Sequence, residues 1–189
     1  MRMPLTLVGV TLGIGVTMLP RLSPPAHAAP RAEPQSHSEE NPHGLHTHEH
    51  FEFIANAPID VAFPLFGAQG ERAWAPDWNP IFVWPQTAAD RQGMVFKVVH
   101  GDKTAIWVNT SFDQAANRVQ YVYVVPDVVA TVISLRLTPS GQSTHVAVTY
   151  ERTALTDDAN ELVRQMAARD KASGPEWSKQ INDYLKTRP

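Results

Sequence analysis

The sequence contains no cysteine, so it can form neither a disulfide framework nor a thiolate metal site. It also lacks a basic run: 16 lysines and arginines stand against 19 acidic residues, and the formal net charge is −3. Binding to nucleic acid needs a clustered basic face. We therefore expect no nucleic-acid partner, and the absence of cysteine is compatible with an oxidising compartment.

No apolar run reaches the roughly 20 residues that a membrane-spanning helix needs. The longest, residues 5–19, follows Arg2 and precedes the small residues around Ala28. This order is typical of a secretory signal peptide. An uncleaved membrane anchor is the alternative, but the run is short and holds three glycines. We expect residues 1–28 to be removed, leaving a periplasmic or secreted protein without a stable membrane span.

The next segment, residues 29–45, is rich in Pro, Ser, Glu and His and nearly free of large apolar side chains. Such a segment buries too little apolar surface to offset the entropy lost on ordering. The composition therefore predicts a disordered segment, followed by one folded domain over residues 46–189.

Four histidines lie where this segment meets the domain: His43, His46, His48 and His50. A strand that begins near His46 would place the last three on one face, because side chains alternate along a strand. Imidazoles on one face suit Zn, Cu or Ni, so a metal site is one hypothesis. The alternative is a solvated tract that binds metal only opportunistically.

The remaining pattern predicts an α+β domain. A first strand ends near Ile54, a short helix beginning at Pro58 breaks at Pro64, and a second short helix covers residues 71–74. Alternating apolar residues separated by polar turns then predict an antiparallel meander. Its strands are residues 81–84, 94–100, 104–112, 118–125, 128–138 and 144–152. A helix that starts at Thr156 or Asp157 and kinks near Gly174 ends the domain.

Three stretches of the sequence resemble a known family. Residues 57–60, 63–66 and 70–80 read APID, FPLF and GERAWAPDWNP. Together with the order of elements, they are similar to the START/SRPBCC superfamily of polyketide cyclase, dehydrase and lipid-transport-like proteins. The resemblance covers roughly residues 51–185. It implies the helix-grip fold, in which a curved antiparallel sheet wraps around a long C-terminal helix. The exported His-rich N-terminus and the Gly174-Pro175 break depart from the family pattern.

The resemblance also implies a hydrophobic cavity between the sheet and the C-terminal helix. Aromatic and apolar residues expected to face inward agree with it, although each of them would equally serve as core. We expect Trp107 to lie outside this set, on the surface, because it alternates with Ile106 and Val108. The ligand-binding candidates are Phe66, Trp74, Trp78, Phe96, His100, Tyr121, Tyr123, Val148, Met166 and Trp177.

Three functions remain open. The favoured one is binding of a hydrophobic small molecule such as a lipid, an isoprenoid or an aromatic compound. The second is Zn, Cu or Ni binding by the four histidines, with no other cofactor expected. The third is a cyclase-like or dehydratase-like enzyme that uses Glu71 or His100 as a proton-transfer group. Pairing of Glu71 with Arg72 and Asp77 is the favoured interpretation of that cluster, and no nucleophile or phosphate-loop motif is present.

Overall fold

The computed structural model describes residues 37–41 and 44–188. The predicted signal peptide lies outside the described residues, so export stays a prediction from the sequence. Within the described part, no helix combines the length and the apolar character needed to cross a membrane.

Part of the segment expected to be disordered forms a strand. Strand β1 (His37–Asn41) pairs antiparallel with the beginning of strand β2 (Gly44–Ala55). The prediction of disorder over residues 29–45 was wrong for these residues. A strand edge offers free N–H and C=O groups, and backbone pairing with it needs no apolar side chains.

The described residues form one antiparallel sheet of eight strands in the order β1-β2-β8-β7-β6-β5-β4-β3. Strands β3 to β7 each pair with the next strand in the chain, which confirms the predicted meander. Pairing of β2 with β8 joins the first strands to it. The bounds are β3 (Ile81–Trp84), β4 (Val95–His100), β5 (Lys103–Asp113), β6 (Arg118–Val125), β7 (Val129–Ser140) and β8 (Ser143–Ala154).

Short helical segments connect β2 to β3. Helix α1 (Ile59–Ala62) gives way to a 3₁₀ turn (Phe63–Phe66), and a second 3₁₀ turn covers Gly70–Ala73. The change from α to 3₁₀ at Phe63 and Pro64 is the predicted break, because proline has no N–H with which to continue the α-helix.

The C-terminal segment begins with a 3₁₀ turn (Asp157–Ala159) and continues as helix α2 (Asn160–Ala172) and helix α3 (Gly174–Thr187). The predicted kink is a complete break, and Pro175 occupies the first turn of the new helix. A Cβ atom placed on Gly174 would lie 3.3 Å from the backbone oxygen of Glu52. The glycine therefore lets the start of α3 approach β2 closely.

One face of the sheet carries the core and packs against these helices. Phe51 and Phe53 of β2 point into it, as do Met94, Phe96 and Val98 around β4. The alternation predicted for these strands is confirmed. The sites described below lie on this inner face.

Candidate functional site

Two neighbouring cavities lie between the inner face of the sheet and the C-terminal helices. The first, which we call the α2 cavity, has a volume of about 470 Å³ and includes Leu162 and Met166 of α2 in its wall. The second, the α3 cavity, has a volume of about 390 Å³ and includes Glu176, Trp177 and Gln180 of α3. Both are within the size range of small-molecule sites, given that close-packed cores leave few voids larger than water.

Trp107 belongs to the wall of both cavities. Its ring stacks on Tyr123 with the centroids 4.2 Å apart, so this pair separates the two spaces. The prediction that Trp107 lies on the surface was wrong, since only 8% of the residue is exposed. A bulge in β5 between Asn109 and Ser111 reverses the alternation there. Trp107 and Phe112 consequently face the core together, although their sequence positions differ in parity.

A buried ion pair stands at the inner end of the α2 cavity. Arg152 of β8 donates two hydrogen bonds to Asp170 of α2, from Nε at 2.5 Å and from Nη2 at 2.8 Å. Its Nη1 donates to Thr131 and to the hydroxyl of Tyr123. Burial alone lowers the pKa of Arg152, but the hydrogen bonds to Asp170 and the charges of Tyr123, Asp170 and Tyr150 together outweigh it, so the pKa is raised and the guanidinium stays charged. The pair therefore holds α2 on the sheet. The opposite charges of Arg152 and Asp170 largely compensate each other.

The α3 cavity is lined mainly by aromatic rings. The indole N–H of Trp74 donates to the carbonyl of Leu65 at 2.7 Å, and that of Trp78 donates to Ala68 at 2.8 Å. Both tryptophans follow the second 3₁₀ turn, and these bonds hold their rings against the backbone of the first turn and of Ala68. Aromatic and acidic side chains of the wall are Trp74, Trp78, Trp107, Trp177, Tyr121, Tyr150, Glu71, Asp77 and Glu176.

Glu71 places a carboxyl group in this wall. Burial, and secondarily the charge of Asp90, raises the pKa of Glu71 well above its ordinary value. The expected pairing with Arg72 is wrong: Arg72 donates instead to the carbonyl of Pro80 at 2.6 Å. Within the described ranges, the Glu71 carboxyl has neither an ion pair nor a hydrogen bond from the protein.

Asp90 holds the backbone that presents Glu71. Its carboxylate accepts hydrogen bonds from the amide of Gln69 at 2.9 Å and from that of Gly70 at 3.3 Å. Gly67 lies so close that a Cβ atom there would be 2.1 Å from an Asp90 oxygen. Burial raises the pKa of Asp90, and the backbone hydrogen bonds act in the opposite direction.

Two further polar groups lie behind the aromatic wall. The Tyr121 hydroxyl donates to the carbonyl of Phe66 at 3.0 Å. Burial first, and then the charges of Glu71 and Asp90, raise the pKa of Tyr121 well above its ordinary value. Neither polar atom of the Asn109 amide makes a well-formed hydrogen bond with the described residues. Asn109 was missed from the sequence, because a bulge decides which way its side chain points.

The predicted ligand-binding residues divide into two groups. Those in a cavity wall are Trp74, Trp78, Tyr121, Tyr123, Met166 and Trp177. Phe66, Phe96 and Val148 are fully buried in the core behind them. His100 ends β4, and its side chain lies outside the part that the structure describes. Their roles in ligand binding stay predictions.

Three of the four metal-site candidates lie on β2, whereas His43 is outside the described residues. His46 shares a hydrogen bond of 2.9 Å with Thr153, and the ring of His48 stacks on His37 at 5.0 Å. In the described part of the chain, no group of three or more His, Cys, Asp or Glu side chains is placed to hold a metal ion. Metal binding by these histidines stays a prediction from the sequence.

Comparisons with known proteins show the fold. Neither the family models nor the curated proteins give a match to this sequence. Among solved structures, norcoclaurine synthase from Thalictrum flavum matches with a TM-score of 0.59 and 8% identity, over 85% of this chain and 100% of that one. CalU16 from Micromonospora echinospora matches with a TM-score of 0.55 and 14% identity, over 83% and 85%.

Another match is Ara h 8.0201, with a TM-score of 0.56 and 14% identity, over 76% of this chain and 99% of that one. These proteins share the arrangement of one antiparallel sheet against a C-terminal helical segment. The fold that the sequence resemblance implied is thus confirmed. The chain has the helix-grip fold.

Proposed function

We propose that this chain binds a hydrophobic small molecule between the sheet and the C-terminal helices. The observation that carries the proposal is the pair of adjoining cavities, about 470 and 390 Å³ in volume, with mainly apolar and aromatic walls. A domain that needed these side chains only as core would close around them, because protein interiors are packed like organic crystals. A lipid, an isoprenoid and an aromatic compound all fit this description.

The partition between the cavities offers a polar contact to such a ligand. The indole nitrogen of Trp107 is buried and has no acceptor among the described residues. An unsatisfied buried donor costs about 1–3 kcal/mol. A ligand oxygen that accepted this hydrogen bond would recover that cost, which favours a ligand with an acceptor group over a plain hydrocarbon.

A structural neighbour supports an aromatic ligand. Norcoclaurine synthase, at 10% identity and a TM-score of 0.58, was solved in complex with dopamine and hydroxybenzaldehyde. Both are small aromatic compounds. Stacking or edge contacts between aromatic rings stabilise a bound ring beyond the area that it buries.

Titration with a neutral fluorescent probe, N-phenyl-1-naphthylamine, tests the proposal. We expect saturable binding to the wild type. The variant Ala105→Phe fills the α2 cavity from a buried position of its wall and should weaken this binding at least about tenfold. Ala116→Phe, in the exposed turn before β6, is the matched control and should bind like the wild type. Equal binding by both variants would exclude the α2 cavity as the probe site, and absence of saturable binding would contradict the proposal.

A second candidate is acid–base catalysis at Glu71. A carboxylic acid whose pKa is raised by burial in an aromatic cavity can donate or accept a proton. Dehydration of a phenyl-substituted β-hydroxy ketone would need a proton removed beside the carbonyl and another given to the leaving hydroxyl, which departs as water. We expect an acceleration that Glu71→Gln reduces roughly hundredfold. The reaction is measured by the absorbance of the enone product. If the wild type does not accelerate it, this candidate is excluded.

A further inference from the structure

The α3 cavity combines aromatic walls with acidic groups and offers no positive charge of its own. Its lining has four tryptophans, two tyrosines and three acids, and none of the described residues that line it is Lys, Arg or His. The α2 cavity differs, since its wall includes Lys103 and Arg169 in addition to the Arg152–Asp170 pair, whose charges compensate each other. The two spaces therefore present opposite electrostatic environments to a ligand.

The four indole rings of the lining, which we call the box of indole rings, include two edge-to-face pairs. Trp74 meets Trp177 at 61°, with the ring centroids 5.2 Å apart. Trp78 meets Trp107 at 86° and 5.4 Å. Because the two rings of each pair lie at steep angles to one another, the π-faces of the four indoles point in more than one direction. The negative face of an aromatic ring attracts a cation within about 6 Å, and indole does so best.

The arginine that contacts the wall of this cavity already has an acidic partner. Arg152 lies over the ring of Tyr150 at 4.8 Å, but its guanidinium is held by both oxygens of Asp170. Glu71, in contrast, receives no cation or hydrogen bond from the described residues, and the groups that act on its charge are acidic. Among the described residues, the Glu71 carboxyl group and the indole rings of this wall thus lack the positive partner that both would favour.

We propose that the α3 cavity binds an organic cation, namely a protonated amine attached to an aromatic or apolar group, with Glu71 as its counter-ion. The inference rests on the proposed small-molecule binding and narrows the ligand class for one of the two cavities. The amine enters the box of indole rings and donates to the Glu71 carboxylate, while its apolar part packs on Tyr121 and Ile133. Glu71 is a binding residue in this account, and no covalent step is involved.

Proton release on binding follows from the surroundings of Glu71. The titratable groups around it are acidic or phenolic: Asp77, Asp90, Tyr121, Tyr150 and Glu176. A bound cation lowers the pKa of Glu71 from its raised value. At a pH below the raised pKa of Glu71, complex formation should therefore release a proton. The affinity for the amine should increase as the pH rises through this pKa.

Three compounds with one carbon skeleton test the inference by calorimetry: the 2-phenylethylammonium ion, neutral 2-phenylethanol and the phenylacetate anion. We expect the cation to bind at least about tenfold more tightly than the alcohol, and the anion to bind most weakly. Glu71→Gln should reduce the affinity for the cation roughly tenfold to hundredfold while leaving the alcohol nearly unchanged. Glu161→Gln, on the exposed side of α2, is the matched control and should change neither affinity.

A second pair of variants tests the inference even if Glu71→Gln fails to fold. Trp177→Leu removes one wall of the box, whereas Trp84→Leu removes a tryptophan that is 53% exposed. Only the first should lose the preference for the cation. Preference for the alcohol, or an unchanged preference in Glu71→Gln, would overturn the inference while leaving the proposed function intact. Failure of all three compounds and of the neutral naphthylamine probe would overturn both.

Discussion

Glu71 makes the stability of the domain depend on pH. Because burial raises its pKa above the ordinary 4.5, the folded chain holds this proton more tightly than the unfolded chain. The corresponding stabilisation is complete below that ordinary value and is lost as the pH rises through the folded-state pKa. We predict that the free energy of unfolding of the wild type falls from about pH 5 upward, and that Glu71→Gln has a smaller fall.

Urea denaturation of both proteins at several pH values provides the measurement. The difference in the free energy of unfolding between the two proteins reports the contribution of Glu71. Burial also raises the pKa values of Asp90 and Asp170, but both residues are present in the wild type and in the variant. Parallel pH profiles would show that Glu71 titrates as an ordinary solvated carboxyl group.

The Arg152–Asp170 pair gives a second prediction. The two side chains are 6% and 10% exposed, so removal of one leaves the other charged and buried. Asp170→Ala should lower the free energy of unfolding by about 3–5 kcal/mol. Lys179→Ala is the control, because its partner Asp183 and the lysine itself are in solvent. An equally small change in both variants would mean that the pair does not hold α2 on the sheet.

A bulge explains why Trp107 was misplaced. Strict alternation puts Trp107 outside, on the face opposite Ile106 and Val108. The irregularity in β5 between Asn109 and Ser111 changes the parity, so Phe112 packs against the same core as Trp107. A bulge adds one residue to a strand without a marked change of composition, so period-two reasoning cannot detect it.

The break between α2 and α3 gives a prediction about the contact of α3 with β2. Gly174 touches Phe51, with 3.5 Å between the position of an added Cβ and that side chain. Gly174→Leu should push α3 away from β2 and reduce the free energy of unfolding by about 1–3 kcal/mol. Ala172→Leu, exposed at the end of α2, should have little effect. Thermal and chemical denaturation compare the two, and equal stabilities would show that the close approach is dispensable.

Metal binding by the histidines of strand β2 gives a further prediction. If His46, His48 and His50 bind zinc, His48→Ala/His50→Ala should abolish stoichiometric binding in a calorimetric titration with zinc chloride. His145→Ala, whose ring contacts Glu52 at 3.1 Å, controls for loss of any surface histidine. Retention of full binding by the double variant would exclude these side chains as the ligands.

The order of the elements was predictable because each carries a local signal. Alternation of apolar residues identified the meander, and Pro64 and Gly174 marked the ends of helical segments. The pairing of β1 was not predictable, since it depends on backbone hydrogen bonds that polar side chains do not report. The division of the inner space into two cavities was missed for a related reason, because it follows from the stacking of Trp107 on Tyr123.

At the scale of the whole molecule, the chain shares its fold with solved structures whose sequences are less than 20% identical to it. Its inner side chains are its own. The sheet and helices enclose space, and the residues around that space determine what enters it. The basic groups beside the α2 cavity and the acidic groups of the α3 cavity predict that ligands differing only in charge will separate between the two.

Native mass spectrometry of the untagged protein, incubated with a panel of apolar and aromatic compounds, tests small-molecule binding most directly. The account predicts a non-covalent complex of the wild type with at least one compound, dissociated by organic extraction. The same complex should be weakened in Ala105→Phe or in Trp177→Leu, according to the cavity used, and retained in Ala116→Phe. Binding of no compound, or binding that neither cavity variant alters, would contradict it.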